Sequence, residues 1–253
     1  MEKILIKIFG IMSTVLSGDP ATYDRYEFLK RKLLPGPYRT LDAGCGSGAF
    51  SFFAAKIGNE VIAISYDESN NKKAHRRAII LGFDKIQFIT GDLRYIDKLK
   101  NSLGKFDQII CFETIEHVLN DQKLIKDLAD ILNPDGGLLL TTPYKYHKPY
   151  SRNEKLSTVE NGGHVRWGYT FTEIEFMFNK FDLEVIEKEY LSGFFTQKII
   201  YFENLINVTN SKIGWAITFP LRILQLLDYS FTKLIKYPFM CIGVFGKKTE
   251  NKF

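Results

Sequence analysis

The stretch Thr40-Leu41-Asp42-Ala43-Gly44-Cys45-Gly46-Ser47-Gly48-Ala49-Phe50 decides the fold. It reads as a short apolar strand, a turn with glycines at alternate positions, and the start of a helix whose inward side carries Phe50, Phe53, Ala54 and Ile57. Alternating glycines permit positive φ and leave no Cβ between backbone N–H groups and a bound molecule. The helix end adds orphan donors and a positive dipole. Such a turn is a cradle for a polar ligand.

Upstream, Asp19-Pro20 has the form of an N-cap followed by Pro at the first helical position, and a helix runs on through Tyr23, Tyr26, Phe28, Leu29 and Leu33. Downstream, strands are expected at Val61 to Ser65, Ile86 to Thr90, Phe106 to Phe112 and Gly137 to Thr142. Helices start between them near Glu68, Ile96 and Asn120, the first ended by Gly82 and the last by Asn133-Pro134-Asp135-Gly136-Gly137. Alternation of strand and helix, with strands lacking a polar face, points to an α/β fold: a parallel sheet covered on both sides, with its ligand site beyond the carboxyl ends of the strands.

Two cofactor classes compete for the glycine turn, because Gly44-x-Gly46-x-x-Ala49 also satisfies the loose dinucleotide fingerprint. Asp42 tilts the choice. A carboxylate two positions before the first glycine sits poorly beside a pyrophosphate and suits a ligand carrying an ammonium group. The pattern Asp-x-Gly-x-Gly-x-Gly resembles the first motif of class I S-adenosylmethionine-dependent methyltransferases, where it wraps the methionine part of the cofactor. Further segments match in order: Thr90-Gly91-Asp92-Leu93, then Phe106 to Val118, then Leu132 to Leu140.

The resemblance implies a Rossmann-like, seven-stranded, mostly parallel sheet with its last strand antiparallel, and S-adenosylmethionine as cofactor. It assigns cofactor contacts to Asp42, Gly44, Cys45, Gly46 and Gly48. It also assigns Asp92 to the adenine amino group with Leu93 packing nearby, and the carbonyls near Cys111 and Phe112 to the cofactor ammonium. One departure stands out. Members usually end the second strand with an acid for the ribose, whereas Val61-Ile62-Ala63-Ile64 leads here to Ser65, with Asp67 slightly later. Relatives resembling cyclopropane fatty acid synthases also carry a hydroxyl there, so both Ser65 and Asp67 stand as ribose candidates.

The sulfonium methyl is already activated, so the protein must hold a nucleophile in line and exclude water; a base is optional. His117, after the fourth strand, is the leading base candidate, against a structural reading in which it lines the next helix. His164 is the second. It lies in Gly162-Gly163-His164-Val165-Arg166-Trp167-Gly168-Tyr169, which precedes a Thr170-x-x-Glu173 capping box, and a similar loop recurs in ubiquinone-biosynthesis-like small-molecule methyltransferases. Arg166 and Tyr169 are expected either to position substrate or to tie this loop to the sheet rim. Tyr144, in the aromatic and cationic run Thr142 to Tyr150, is a further substrate-binding candidate.

At 253 residues with a net charge of +5, the chain has the balance of an ordinary globular protein. Lys72, Lys73, Arg76 and Arg77 read as a solvated helix face, so no nucleic-acid partner is expected. Cys45, Cys111 and Cys241 have no metal-like spacing and read as reduced, packed thiols; no metal is expected. Residues 1–38 are expected to form a helical arm, and 39–253 the methyltransferase-like domain with a helical insertion at about 196–236. Charges interrupt the apolar run around Ile199 to Leu227 well short of the roughly twenty residues a membrane span needs. Met1 to Leu16 reads as an amphipathic arm. Together the termini motivate peripheral membrane contact of a cytoplasmic protein and an amphiphilic acceptor. The expected function is methyl transfer to a small-molecule acceptor. The alternatives are an NAD-type oxidoreductase on a similar sheet and a non-catalytic protein that binds S-adenosylmethionine.

Overall fold

The structure, a computed structural model, describes residues 2–148, 155–207 and 211–249. Its centre is a sheet built from β1 (Arg39–Ala43), β2 (Glu60–Ser65), β3 (Gln87–Thr90), β4 (Phe106–Phe112), β5 (Leu132–Pro143), β6 (Leu183–Leu191) and β7 (Cys241–Lys248). The strand order is β3-β2-β1-β4-β5-β7-β6, with β7 antiparallel to both of its neighbours. The expected α/β, Rossmann-like sheet with an antiparallel last strand is the one observed.

Alternate residues of the central strands divide the core in two, as a strand's period of two requires. Leu41, Ala43, Ile109 and Cys111 pack under α6 (Ile96–Leu103), α7 (Asp121–Asp130) and α8 (Phe171–Lys180). Val61, Ala63, Ile110 and Phe112 pack under α3 (Pro20–Lys32), α4 (Ala49–Lys56) and α5 (Glu68–Leu81). The N-cap at Asp19 accepts from Ala21 N with Pro20 at the first helical position, and the Thr170–Glu173 capping box opens α8. Ahead of α3 lie α1 (Glu2–Phe9) and α2 (Ile11–Leu16), separated at Gly10, whose φ is 57°.

Two boundaries differ from expectation. α7 ends at Asp130 rather than at Asn133, and β5 begins at Leu132, because extra residues bulging out of β5 let Leu132 pair with Phe106 before Gly137 pairs with Gln108. Between β6 and β7 the chain is helical: α9 (Phe194–Asn207), α10 (Ser211–Thr218), the 3-10 helix Phe219–Leu227 and α11 (Asp228–Leu234). No helix among the described residues is long and apolar enough to cross a membrane.

Candidate active site

The strand order reverses between β1 and β4, so the loops leaving their carboxyl ends part and open a crevice. A cleft of about 340 Å³ lies there, walled by Gly44 and Gly46 after β1, Ser65 and Asp67 after β2, Asp92 and Leu93 after β3, and Glu113, Thr114 and His117 after β4. Two glycines make the wall possible. A Cβ on Gly44, at φ 96°, would stand 2.2 Å from Thr114 Oγ1, whereas a Cβ on Gly46, at φ 50°, would meet nothing within 4 Å and would project into open space.

Of the expected cofactor contacts, Gly44, Gly46, Ser65, Asp67, Asp92 and Leu93 line this cleft; Asp42, Cys45, Gly48, Cys111 and Phe112 do not. Asp42 is buried behind the turn and accepts from Ser51 Oγ at 2.6 Å. Burial pushes its carboxyl up to about 6, with the Ser51 hydrogen bond opposing the shift. It therefore ties the end of β1 to α4. Cys45, Cys111 and Phe112 are core residues, and Gly48 caps α4 against Phe52 and Ala74. The Phe112 carbonyl, expected to face the ligand, accepts the Thr114 hydroxyl at 3.0 Å, so Glu113 and Thr114 form the wall in its place.

The acids in the cleft are already engaged. Asp92 is held by Arg94 through Nε and Nη2, and the Arg94 hydrogen bond keeps its carboxyl below the usual carboxylate range. Arg94 reaches on to Glu160 at 2.8 Å, and Glu160 also accepts from Leu119 N at 2.8 Å. Asp67 caps α5 by accepting from Ser69 N and Asn70 Nδ2. Glu113, a non-glycine residue at φ 47°, accepts from the Thr141 hydroxyl at 2.9 Å and pairs with buried Arg25 at 3.0 Å. Positive φ in a side chain held this firmly is the kind of strain that accumulates at functional sites.

His117 joins the cleft to the loop before α8. Its Nδ1 lies 3.2 Å from the Gly163 carbonyl, an acceptor only, so Nδ1 carries the proton in the neutral ring and Nε2 is left with its lone pair. Nε2 lies 3.9 Å from Glu116 Oε1, and the His164 ring meets His117 edge-on at 4.7 Å. Glu116 is fully buried. Its Oε2 accepts from Thr142, its Oε1 has no hydrogen-bond partner, and burial first, then the charge of Glu113, raises its carboxyl well above the usual range. Glu116, His117 and His164 bring one donor atom each within 4.8 Å of one another, a carboxylate and two imidazoles that suit a divalent ion. No metal was expected from the cysteine spacing, and His164 reaches the other two only through the fold.

The remaining candidates serve the loop instead. Arg166 donates to Asp121 Oδ2 at 2.6 Å and to the Val118 and Leu119 carbonyls, and the Tyr169 hydroxyl donates to the same Asp121 oxygen at 2.9 Å. Tyr169 is buried, which pushes its phenol upward. The substrate-binding role expected for Arg166 and Tyr169 gives way to the structural alternative, because their polar ends are spent on the rim of the sheet. Tyr144 bridges to Tyr169 and packs its ring on Tyr146 and Tyr190, outside the cleft wall. The run around it is described only to Lys148; Pro149 and Tyr150 lie outside the described residues. Glu113, Thr114, Arg94 and Glu160 were not singled out as site residues, since their roles come from long-range partners.

A glycine turn at the carboxyl edge of a doubly covered sheet, with polar groups from four successive strand ends converging on it, defines a class of α/β proteins that bind a nucleoside-bearing ligand. The chain belongs to the methyltransferase-domain family, whose model matches residues 21–188. It is 31% identical over 121 residues to a ubiquinone biosynthesis O-methyltransferase of Xanthomonas axonopodis pv. citri, covering 47% of this chain and 48% of that protein. It is 32% identical over 135 residues to the mitochondrial ubiquinone biosynthesis O-methyltransferase of Bos taurus, covering 51% of this chain and 36% of that protein. The matches thus span about half or less of those relatives. Among solved structures, the [4+2]-cyclase SpnF superposes with a TM-score of 0.61 at 17% identity, covering 90% of this chain and 82% of that one. The N-methyltransferase NodS of Bradyrhizobium japonicum, solved with S-adenosyl-L-homocysteine, gives 0.59 at 15% identity, covering 93% and 91%. At these identities the likeness shows the fold alone.

Proposed function

We propose that the protein transfers the methyl group of S-adenosylmethionine to an oxygen of a small-molecule acceptor. The observation that carries this is the bare backbone at Gly46 fronting the same cleft as Ser65, Asp67, Asp92 and Leu93. Gly44, Gly46 and Thr114 would hold the amino-acid end of the cofactor, Ser65 or Asp67 its ribose, and Leu93 its base. When bound, S-adenosylmethionine supplies an activated methyl group. The names of the two curated relatives support oxygen as the acceptor atom.

His117 sits at the cleft mouth with Nε2 directed away from its own hydrogen bond, able to take the acceptor hydroxyl's proton. Gly163 fixes the tautomer that leaves Nε2 free for this. The loop 155–169 excludes water from one side of the cleft, held by Glu160 on Arg94 and by Val165 N on the Glu116 carbonyl at 2.9 Å. Titration calorimetry with S-adenosylhomocysteine, with NAD as competitor class, tests the reading. Binding of the former at micromolar strength and no heat from the latter is expected; the reverse would refute it.

A further inference from the structure

The second half of the helical connection between β6 and β7, Phe219 to Leu234, is built inside out. In the 3-10 helix Phe219–Leu227 the buried residues are Arg222 and Gln225, while Ile223, Leu226 and Leu227 stand 63–70% exposed. α11 repeats the inversion, with Asp228 and Thr232 buried and Leu234 78% exposed, and Leu205 and Ile217 of α9 and α10 add to the outer face. A helix at a water boundary normally carries its apolar stripe inward and its polar residues outward. Here the inward polar residues form a specific network. Arg222 donates to the Leu16 and Gly18 carbonyls, Gln225 donates to the Pro20 carbonyl, and Asp228 accepts from the backbone N–H groups of Gly193, Phe195 and Thr196 at the start of α9. The polar residues anchor the segment to the domain, and the apolar ones are left outside.

Charge says what covers them. Residues 194–240 contain two acids, Glu203 and Asp228, against Lys198, Lys212, Arg222, Lys233 and Lys236. Asp228 is buried, and Glu203 is turned in toward Thr218 and Arg222. Lys233 and Lys236 are exposed beside the apolar face. An apolar crest flanked by outward cations, with every acid folded away, complements an anionic lipid surface. We propose that this face docks the protein on an anionic bilayer, lying in its interface. Topology puts the docking face beside the site. β6 ends at Leu191 and β7 begins at Cys241, and these pair with each other and, through Cys241, with Pro143, at the carboxyl edge where the cleft opens. An amphiphilic acceptor would then reach the cleft from the membrane rather than through water.

Co-flotation tests this independently of methyl transfer. The full chain is mixed with vesicles of phosphatidylcholine alone, or of phosphatidylcholine with phosphatidylglycerol, and compared with Ile223→Glu/Leu226→Glu/Leu227→Glu and with Lys233→Gln/Lys236→Gln. Melting temperature and S-adenosylhomocysteine affinity are the folding controls, since all five side chains are outward. The wild type is expected to float with the anionic vesicles and the triple variant to stay behind. The lysine variant should lose about five-fold in affinity per lysine for anionic vesicles only. Failure of the wild type to float, or equal flotation of the triple variant, overturns the proposal. So does a dimer in sedimentation that ignores vesicles and that the triple variant splits, which would assign the face to a second copy of the chain.

Discussion

Gly44→Ala should damage the fold, and adding Thr114→Ala should cost little more. The new methyl would stand 2.2 Å from Thr114 Oγ1 but 3.4 Å from Thr114 Cβ, so the hydroxyl is the obstacle. That hydroxyl donates to the Phe112 carbonyl at 3.0 Å, and turning it away forfeits about 1 kcal/mol. A non-glycine residue at φ 96° adds about 1–3 kcal/mol of backbone strain. The sum is about 3 kcal/mol, which lowers the melting temperature by roughly 6–12 °C in a chain of this size. In Gly44→Ala/Thr114→Ala the overlap disappears and only the backbone strain and the lost hydrogen bond remain. The double variant should therefore be more stable than the sum of the single variants by about 1 kcal/mol or more. Urea melts of the four proteins measure the cycle. Additivity within about 0.5 kcal/mol, or a Gly44→Ala variant as stable as wild type, would refute the close packing of the two loops.

Gly46→Ala makes the opposite split: its Cβ meets no protein atom, so stability should fall by only the backbone strain of about 1–2 kcal/mol while S-adenosylhomocysteine affinity drops at least about ten-fold, as calorimetry would read. His117→Ala should lower kcat by about 10²–10⁴ in transfer of labelled methyl to a metabolite extract, with cofactor affinity unchanged; a smaller loss removes the general base. Asp67→Ala should weaken cofactor binding, and an unchanged dissociation constant would take Asp67 out of the ribose site. Asp24 gives a pH signature. Burial, opposed by hydrogen bonds from Ser192 and Thr196, raises its carboxyl from 3.8 to about 7. The folded state then holds the extra proton between those values, so the contribution is present at low pH and is lost as pH rises toward about 7. Relative to Asp24→Asn, the wild type should be about 2–3 kcal/mol more stable at about pH 5 than at about pH 8. A pH-independent difference in urea midpoints would contradict this.

The sheet was legible because its signals are local. The glycine turn, the apolar strands and the caps at Asp19 and Thr170 each reside in a few adjacent residues, and they sit where the chain order predicted. The start of β5 was not, because the chain bulges between Leu132 and Gly137, and Leu132 joins the sheet only by pairing with Phe106 of a partner strand. The site was half legible for the same reason. Gly44, Gly46, Ser65 and Leu93 announce themselves by position at strand ends. Asp92 does not reveal that Arg94 occupies its carboxylate, nor does Arg166 reveal that Asp121 and two carbonyls use up its Nη groups. The inversion of the Phe219–Leu227 helix was likewise hidden, since an apolar run gives no sign of which face turns inward.

The acceptor side follows from how the cleft is closed. On one flank, Glu160 locks the 155–169 loop to Arg94, and Arg166 locks it to Asp121, so that wall is polar and tied at both ends. On the other, Arg25 and Glu113 pin α3 to the end of β4, and α3 in turn carries the helices that follow β6 through Asp24, whose carboxylate accepts from Ser192 and Thr196. The outward apolar face is thereby coupled through α3 to Glu113 in the cleft wall. On the docking proposed above, the acceptor would carry a long apolar tail that stays with the bilayer while only the reacting hydroxyl enters the cleft.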